Sequence, residues 1–216
     1  MPSMSLVIAL DGPAAAGKGT LARSLAQDLD LAYLDTGSLY RATGVAVLQA
    51  GKDPADPAAA EHAAKTLDPL KIDPVAIRTE QAGLAASKVS AIPAVRAALL
   101  ELQRTFAATP PGGKRGAVLD GRDIGTVVCP DAPVKIFVTA SLEERSRRRV
   151  LELRAKGETV IEARVFADMA ARDAADSNRA ASPLKPADDA FVLDTSALDA
   201  AGALAAAKAF IESRLK

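Results

Sequence analysis

Cysteine, histidine and aromatic residues are scarce in this chain of 216 residues. One cysteine, Cys129, excludes an intramolecular disulfide, and together with one histidine, His62, it leaves too few ligands for a structural zinc site. Tryptophan is absent and aromatic residues make up 3% of the chain, which disfavours the stacking platform of single-strand nucleic-acid binders. We expect a reducing cytoplasm, an exposed helical His62, and Cys129 acting as a small buried apolar side chain.

An excess of charge of one sign is also missing, because 27 Lys and Arg balance 27 Asp and Glu. A neutral chain does not fit a protein that coats nucleic acid or an anionic membrane, so any anion-binding site must be local. The apolar run 6–10 is far shorter than the roughly 20 residues of a membrane span, and no basic segment precedes it. The sequence therefore predicts a cytoplasmic protein without a secretion or membrane-spanning signal.

The chain is 49% hydrophobic, which is enough to bury the core of one globular domain. Short continuous apolar runs alternate with long Ala-rich stretches, a pattern typical of buried parallel strands joined by helices. We therefore predict a doubly wound α/β fold. The predicted strands are 6–10, 31–34, 117–119, 134–138 and 190–193, and the predicted helices are 18–28, 38–50, 57–66, 93–108, 142–155, 160–174 and 198–214.

Two stretches, 51–90 and 145–158, offer no apparent core strand, and we interpret them as insertions at the rim of the sheet. Acidic residues follow four of the predicted strands, at Asp11, Asp35, Asp120 and Asp194. Because ligands bind outside the carboxyl ends of the strands in an open α/β sheet, these residues predict the edge that carries the site. For the segment 194–196, an N-cap of the last helix is an equally good interpretation.

A glycine-rich loop follows the first predicted strand and matches the Gly-x-x-x-x-Gly-Lys pattern of a Walker A loop. Its backbone N–H groups and the following helix N-terminus attract phosphate oxygens, and Lys18 reaches the β- and γ-phosphates. Gly19 stands where Ser or Thr usually follows the lysine, so no direct magnesium ligand is assigned and Thr20 is left as a candidate. The residues predicted to bind ATP are Gly12, Pro13, Ala14, Ala15, Ala16, Gly17, Lys18, Gly19 and Thr20.

Three further blocks accompany the loop: LDTGSLYR at 34–41, LDGRDIGTVV at 119–128 and DSNRAASPL at 176–184. With the Gly-Lys-Gly-Thr variant of the loop, they resemble the bacterial cytidylate kinase family, in its order and close to its spacing, from about residue 7 to residue 193. The resemblance implies a P-loop NTPase fold with a five-stranded parallel sheet flanked by helices. It implies one kinase domain over 1–216, with an acceptor-nucleotide region at 36–108 and a small Arg-rich lid at 145–165.

The expected reaction is transfer of the γ-phosphoryl group of ATP to CMP or dCMP with Mg²⁺. Arg41, Arg122 and Arg179 lie near predicted strand ends or in polar breaks, where arginine suits a bidentate grip on phosphate. Any one of them alone is as readily a solvated surface charge. The resemblance implies that all three hold the phosphate of the acceptor.

The resemblance also implies that Ser87, Arg96 and Asp123 bind cytosine, whose N4 amino group suits a carboxylate and whose N3 and O2 suit donors. It places Arg172 and Asp176 at the sugar, while their spacing alone also allows an i,i+4 ion pair. The whole set that it assigns to CMP is Thr36, Arg41, Ser87, Arg96, Arg122, Asp123, Arg172, Asp176 and Arg179. The acceptor insertion looks shortened at 70–79, with the family's hairpin strands missing.

Four arginines lie between 145 and 149 on the predicted helix 142–155, and Arg145, Arg148 and Arg149 share one face by their spacing. Glutamates flank the run, so the helix is either a salt-bridged solvated face or a lid that compensates charge on the transferring phosphoryl group. As a lid, it assigns catalytic roles to Arg145, Arg148 and Arg149 beside Lys18.

Two other functions stay open. A kinase that phosphorylates a hydroxyl would use a base such as Asp35 or Asp123, whereas the phosphate of CMP, with a second pKa of about 6, needs none. A nucleotide-dependent switch that hydrolyses GTP would need an Asn-Lys-x-Asp stretch, which this sequence lacks. We expect a monomer that binds ATP and CMP or dCMP, without nucleic acid or a membrane as partner.

Overall fold

A computed structural model describes residues 6–180 and 182–215; Ala181, in the third sequence block, lies outside the described residues. Five strands form one sheet in the order β2-β3-β1-β4-β5. Strand β1 pairs in parallel with β3 and β4, and β4 pairs in parallel with β5. The strands are β1 Leu6–Asp11, β2 Ala32–Asp35, β3 Gly116–Asp120, β4 Val134–Thr139 and β5 Phe191–Asp194. All five predicted strands are confirmed, with ends within one residue.

The central strands are apolar without alternation because both of their faces are covered. On β1, Ile8 pairs with Val118 of β3 and Val134 of β4, and all three side chains are fully buried. Leu25, from the helix after β1, and Ile211, from the last helix, belong to the same core. The sheet therefore fixes the carboxyl ends of its strands, where the acidic residues lie.

All seven predicted helices are confirmed, with ends that move by at most three residues, and His62 is exposed on its helix as predicted. The prediction of a buried Cys129 is wrong, because this side chain is half-buried just after the turn 124–128. In the described part of the chain, no single helix is both long and apolar enough to cross a membrane, although the bent pair Glu80–Ser90 and Pro93–Gly113 meets those criteria together. The helices are α1 Lys18–Asp28, α2 Thr36–Gln49, α3 Pro57–Lys65, α4 Glu80–Ser90, α5 Pro93–Ala108, α6 Leu142–Ala155, α7 Glu162–Ser177 and α8 Ala200–Arg214.

Helix α4 was not predicted, because within the insertion 51–90 only the helix 57–66 was recognised. The hydroxyl of Thr79 accepts the N–H of Ala82 and so caps the helix. Buried apolar residues then recur every three or four positions and form one face of the helix. Helix α2 approaches that face at Gly44, where an added Cβ would lie 2.7 Å from the Cβ of Ala85. Between α3 and α4 the described backbone has two single turns of 3₁₀-helix and no strand, so the hairpin strands are missing as predicted.

The chain divides into two compact units. One comprises Met1–Leu34 and Thr109–Lys216, which carry most of the sheet together with α1, α6, α7 and α8. The other is Asp35–Ala108, in which α2 packs on α3 and α4, and α3 packs on α5. The second unit nearly coincides with the predicted acceptor region 36–108, whose role in binding the acceptor stays a prediction.

Candidate active site

The phosphate loop joins β1 to α1 through two glycines that no other residue replaces easily. Gly12 has a φ of 143°, and a Cβ there would lie 1.9 Å from the carbonyl oxygen of Val138. Gly17, at a φ of 90°, precedes α1, and no side chain caps the helix. The first N–H groups of α1 and their partial positive charge are therefore available to an anion such as a nucleotide phosphate.

Lys18 is buried at the start of α1. Its ammonium group donates to the carbonyl of Pro13 at 2.9 Å and lies 3.9 Å from the Asp120 carboxylate at the end of β3. Burial, with a contribution from the charge of Arg122, lowers the pKa of Lys18 from 10.5 to about 8, although Asp120 opposes the change. The lysine is therefore a charge with few compensating groups, poised for the oxyanions of a nucleotide.

We expect kcat/KM for ATP to fall as pH rises above about 8, because the free enzyme then loses the proton of Lys18. Bound phosphate charge raises the pKa of the ammonium group, so kcat itself should fall only at higher pH. A pH profile of both constants at saturating acceptor measures the difference. Identical profiles for kcat and kcat/KM would contradict the assignment of the titration to Lys18.

Asp11, at the end of β1, connects the phosphate loop to the segment after β3. Its two carboxylate oxygens accept the N–H groups of Ile124 and Gly125, each at 2.7 Å. These residues begin a π-helical turn, Ile124–Val128, that directly follows Asp123. Burial raises the pKa of Asp11 to about 6 despite the two hydrogen bonds. The sequence located Asp11 at a strand end, but it gave no sign of this partner segment.

Asp176 joins two of the predicted phosphate-binding arginines in one cluster. Its carboxylate is buried and accepts from Nε of Arg122 at 3.0 Å and from the guanidinium of Arg179 at 2.6 Å. Arg122 also donates to the carbonyl of Gly121. Arg172 lies one turn earlier on α7. Asp176 thus bonds to two arginines other than its i,i+4 neighbour, with which the sequence allowed an ion pair. The structure thus brings Arg122, Asp176 and Arg179 together. Asp123, which follows Arg122 in the chain, is also buried.

Four predicted acceptor residues lie in the second unit. Thr36 is buried at the first turn of α2. Arg41 donates to a backbone carbonyl at 3.3 Å, and its guanidinium lies 3.5 Å from the place a Cβ on Gly83 would take. Ser87, exposed on α4, donates to the carbonyl of Gly83. The guanidinium carbon of Arg96 lies 5.6 Å from the centre of the Tyr40 ring. The structure therefore gathers Arg41 and Ser87 around one glycine of α4.

The arginines of α6 differ in burial. Arg145 is buried in an ion pair with Asp173 of α7. Arg148 donates to Glu144 and to Thr195, whereas Arg149 pairs with Glu152 at 2.8 Å. Arg147 also donates to Glu144. The hydrogen bonds from Arg147 and Arg148 lower the pKa of the Glu144 carboxyl to about 2. In this structure the helix thus forms the ion pairs that the sequence allowed; whether it also serves as a lid stays a prediction.

Thr195 was missed as a connecting residue. Its buried hydroxyl lies 3.0 Å from the Ala16 carbonyl of the phosphate loop and 3.1 Å from the Thr139 carbonyl of β4, and it accepts from Arg148 at 3.0 Å. The N-cap interpretation of 194–196 is wrong, because Asp199 caps α8 by accepting the N–H of Gly202. Thr195 lies four residues before that cap, and the sequence gave no signal for its bond to the phosphate loop.

Oxygen ligands for a metal are few near the loop. Among the residues that the structure describes, no group of three or more His, Cys, Asp or Glu side chains could hold a metal ion. An oxygen of Asp120 lies 3.3 Å from the position of a Cβ on Gly19, and Thr20 is exposed on the next position of α1. One carboxylate and one hydroxyl fit Mg²⁺ that arrives with a nucleotide, since Mg²⁺ takes most of its other ligands from phosphates and water.

Comparisons with known proteins agree with this arrangement. A family model described as cytidylate kinase matches residues 8–212. The cytidylate kinase of Paramagnetospirillum magneticum is 62% identical over 211 residues, which cover 98% of this chain and 100% of that protein. That of Rhodospirillum rubrum is 61% identical over 202 residues, covering 94% and 95%.

Solved structures support the fold alone. An uncharacterized protein from Eubacterium ventriosum superposes with a TM-score of 0.57 at 12% identity, covering 97% of this chain and 99% of that one. A sugar kinase from Janibacter sp. HTCC2649 superposes with a TM-score of 0.50 at 14% identity, covering 96% and 95%. Such low identities carry no statement about substrate.

Proposed function

This chain belongs to the cytidylate kinase family, and we propose how its residues transfer the γ-phosphoryl group of ATP to CMP or dCMP. The observation that carries the proposal is the position of Lys18. The phosphate loop holds it at the start of α1, where its ammonium group lies 3.9 Å from the Asp120 carboxylate, two residues before Arg122. Burial lowers the pKa of Lys18, and the charges of Arg122 and Arg172 lower it further. Groups suited to the donor and to the acceptor therefore act on one another within the first unit.

The reaction needs positioning and charge compensation more than a protein base. An oxygen of the CMP phosphate, largely a dianion at neutral pH because its second pKa is about 6, attacks the γ-phosphorus. The bond from phosphorus to the β–γ bridging oxygen breaks, and that oxygen leaves with ADP. We propose that Lys18, Arg148 and Arg149 compensate the negative charge on the transferring phosphoryl group. The Arg148 guanidinium lies 3.9 Å from the Cβ position of Gly17, which supports its part.

For the acceptor we propose the residues that the family blocks indicate. Arg41, Arg122 and Arg179 bind the phosphate, and Arg172 and Asp176 act at the sugar. The residues assigned to cytosine and its surroundings are Ser87, Arg96, Asp123 and Thr36. What supports the assignment is chemical type: buried carboxylates for an amino group, and guanidinium groups held by a carboxylate for a phosphate.

The family implies Mg²⁺ with ATP, and we propose that Asp120 and Thr20 would hold the ion beside the loop. When bound, Mg²⁺ neutralises charge on the β- and γ-phosphates. Because transfer needs this charge neutralisation, removal of Mg²⁺ with EDTA should abolish transfer and leave the fold intact by circular dichroism.

We further propose a cytoplasmic enzyme that works as a monomer without nucleic acid or a membrane as partner.

Replacing Asp176 with asparagine should lower kcat/KM for CMP by about 10- to 100-fold, because Arg122 and Arg179 lose a charged anchor. The matched control is Asp168→Asn, which alters an exposed carboxylate on the same helix. Steady-state kinetics with CMP and with 3′-deoxy-CMP separate two roles. Since both carboxylate oxygens already bind arginines, we expect the loss to persist without the 3′-hydroxyl. A loss confined to CMP would assign Asp176 to the sugar alone.

The function is tested by ADP formation from ATP and Mg²⁺ with CMP, dCMP, UMP, AMP, GMP and shikimate as acceptors. Rapid turnover with CMP and dCMP alone is the expected result. Strong use of shikimate would move the function to kinases that phosphorylate a hydroxyl and make Asp35 or Asp123 a base. ADP release without any acceptor would favour a nucleotide-hydrolysing switch.

A further inference from the structure

We propose that the ion pair of Arg145 and Asp173 is a positioning device that holds the phosphate loop in its ATP-binding conformation through the peptide between Ala14 and Ala15. Neither side chain touches nucleotide in this role. The sequence predicted a catalytic Arg145, grouped with Arg148 and Arg149 by helical spacing. The inference rests on the proposed function, because it assumes that the loop binds ATP.

The contacts of Arg145 engage all three of its nitrogens. Nε donates to the carbonyl of Ala140 at 2.9 Å, and the two terminal nitrogens reach the two carboxylate oxygens of Asp173 at 3.1 and 2.6 Å. One of those nitrogens also lies 3.4 Å from the carbonyl oxygen of Ala14 in the phosphate loop. The side chain is only 6% exposed. To meet a phosphate, Arg145 would have to break a bidentate pair and leave Asp173 without its counter-charge, which is unfavourable.

The loop residue next to that carbonyl needs support. Ala15 has a φ of 58°, in the left-handed region that a Cβ disfavours. The bond from Arg145 fixes the orientation of the Ala14 carbonyl, and therefore of the peptide that enters Ala15. The methyl group of Ala15 also packs on the apolar cluster of Val150, Val165 and Met169, which joins α6 to α7. The hydrogen bond to the Ala14 carbonyl and the packing of Ala15 both come from α6 and α7. Together they stabilise the left-handed backbone conformation of Ala15, which is unfavourable for alanine.

The other two arginines are placed differently. The side chain of Arg148 is 25% exposed and that of Arg149 is 34% exposed, and their carboxylate partners lie on their own helix. Arg149 can exchange its one carboxylate partner for a phosphate at small cost. Arg148 would also give up two bonds to Thr195, but Glu144 would keep its bonds from Arg147 and so would not lose its counter-charge. Arg145, by contrast, connects α6, α7 and the phosphate loop. The arginine run therefore divides into one residue that positions the loop and two that are available to the nucleotide. A preformed loop spares ATP the cost of ordering it on binding.

The test is a double-mutant cycle of Asp173→Asn and Ala15→Gly, with the affinity for the non-hydrolysable analogue AMP-PNP measured by calorimetry and kcat measured separately. We expect Asp173→Asn to weaken AMP-PNP binding about tenfold while kcat and KM for CMP change less than about threefold. In the Ala15→Gly background the same substitution should cost less than about threefold, because glycine adopts the left-handed conformation without support. Asp168→Asn, exposed on α7, is the control and should leave the affinity unchanged.

Three results would overturn the proposal: an unchanged affinity in Asp173→Asn, a fall of kcat at unchanged affinity, or an equal loss of affinity with Ala15 and with Gly at that position. The second would return Arg145 to the reacting phosphoryl group. Thermal melting checks folding, and if Asp173→Asn unfolds at the assay temperature, Arg145→Lys enters the cycle with the same expectations. Failure of the proposed function is a separate outcome, since wild-type protein would then bind AMP-PNP without ADP formation from ATP and CMP.

Discussion

Replacing Lys18 with methionine is expected to lower kcat by about 10³-fold or more, as loss of a preorganised charge at a transferring group does. The ammonium group of Lys18 is the charge that the phosphate loop itself supplies, and it is buried 3.9 Å from the carboxylate of Asp120. Methionine keeps the length and the apolar stem. A coupled assay of ADP formation measures the loss, and Lys208→Met, at a partly exposed lysine of α8 that pairs with Asp28, is the control.

The same substitution should leave the free energy of unfolding unchanged or raise it. A folded pKa of about 8 against 10.5 means that the folded protein binds the Lys18 proton less tightly than the unfolded chain, a cost of about 3 kcal/mol at neutral pH. Wild-type stability from this group therefore rises as pH increases from about 8 to 10.5, and the rise should vanish in Lys18→Met. Urea unfolding at pH 7 and pH 10 measures it; a variant that unfolds readily at pH 7 would make Lys18 a structural residue.

The sheet could be predicted because each strand is a continuous apolar run between polar ends, and burial on both faces demands that composition. Helix α4 escaped for a physical reason. Three of its four buried apolar side chains are alanines, and alanine carries little hydrophobic contrast. Its stability depends on the close approach of α2 at Gly44, a tertiary contact that sequence periodicity does not encode.

The phosphate loop could be predicted because all of its groups lie within nine consecutive residues. The contacts that support the loop could not be predicted, because their partners are far apart in the sequence. Asp11 and Gly125 are 114 residues apart, and Arg145 and Asp173 are 28 residues apart. Helical spacing placed Arg145 on one face with Arg148 and Arg149, but which part of that face is covered depends on where α7 packs. Sequence thus indicates the groups that touch phosphate more readily than those that hold them in place.

Replacing Asp123 with asparagine is the second large effect expected. We predict that kcat/KM for CMP falls by about 10²-fold while KM for ATP is unchanged, because a buried carboxylate that accepts from the cytosine N4 amino group is replaced by an amide that also presents donors. The same amide can donate to O4 of uracil. The constant kcat/KM for UMP should therefore rise, so the ratio of kcat/KM for CMP to that for UMP should fall further than the CMP constant alone. Kinetics with both acceptors measures it.

Position makes this test informative about mechanism as well as specificity. Asp123 directly precedes the π-helical turn whose first N–H groups bind Asp11, so a disturbance of that turn would also reach β1 and the phosphate loop. A structural disturbance predicts that KM for ATP rises with the loss of CMP use, whereas a base contact predicts that only the acceptor constants move. The exposed Asp131, changed to asparagine, is the control. Equal losses with CMP and UMP would show that Asp123 does not distinguish the bases and that the turn, rather than the carboxylate, carries the effect.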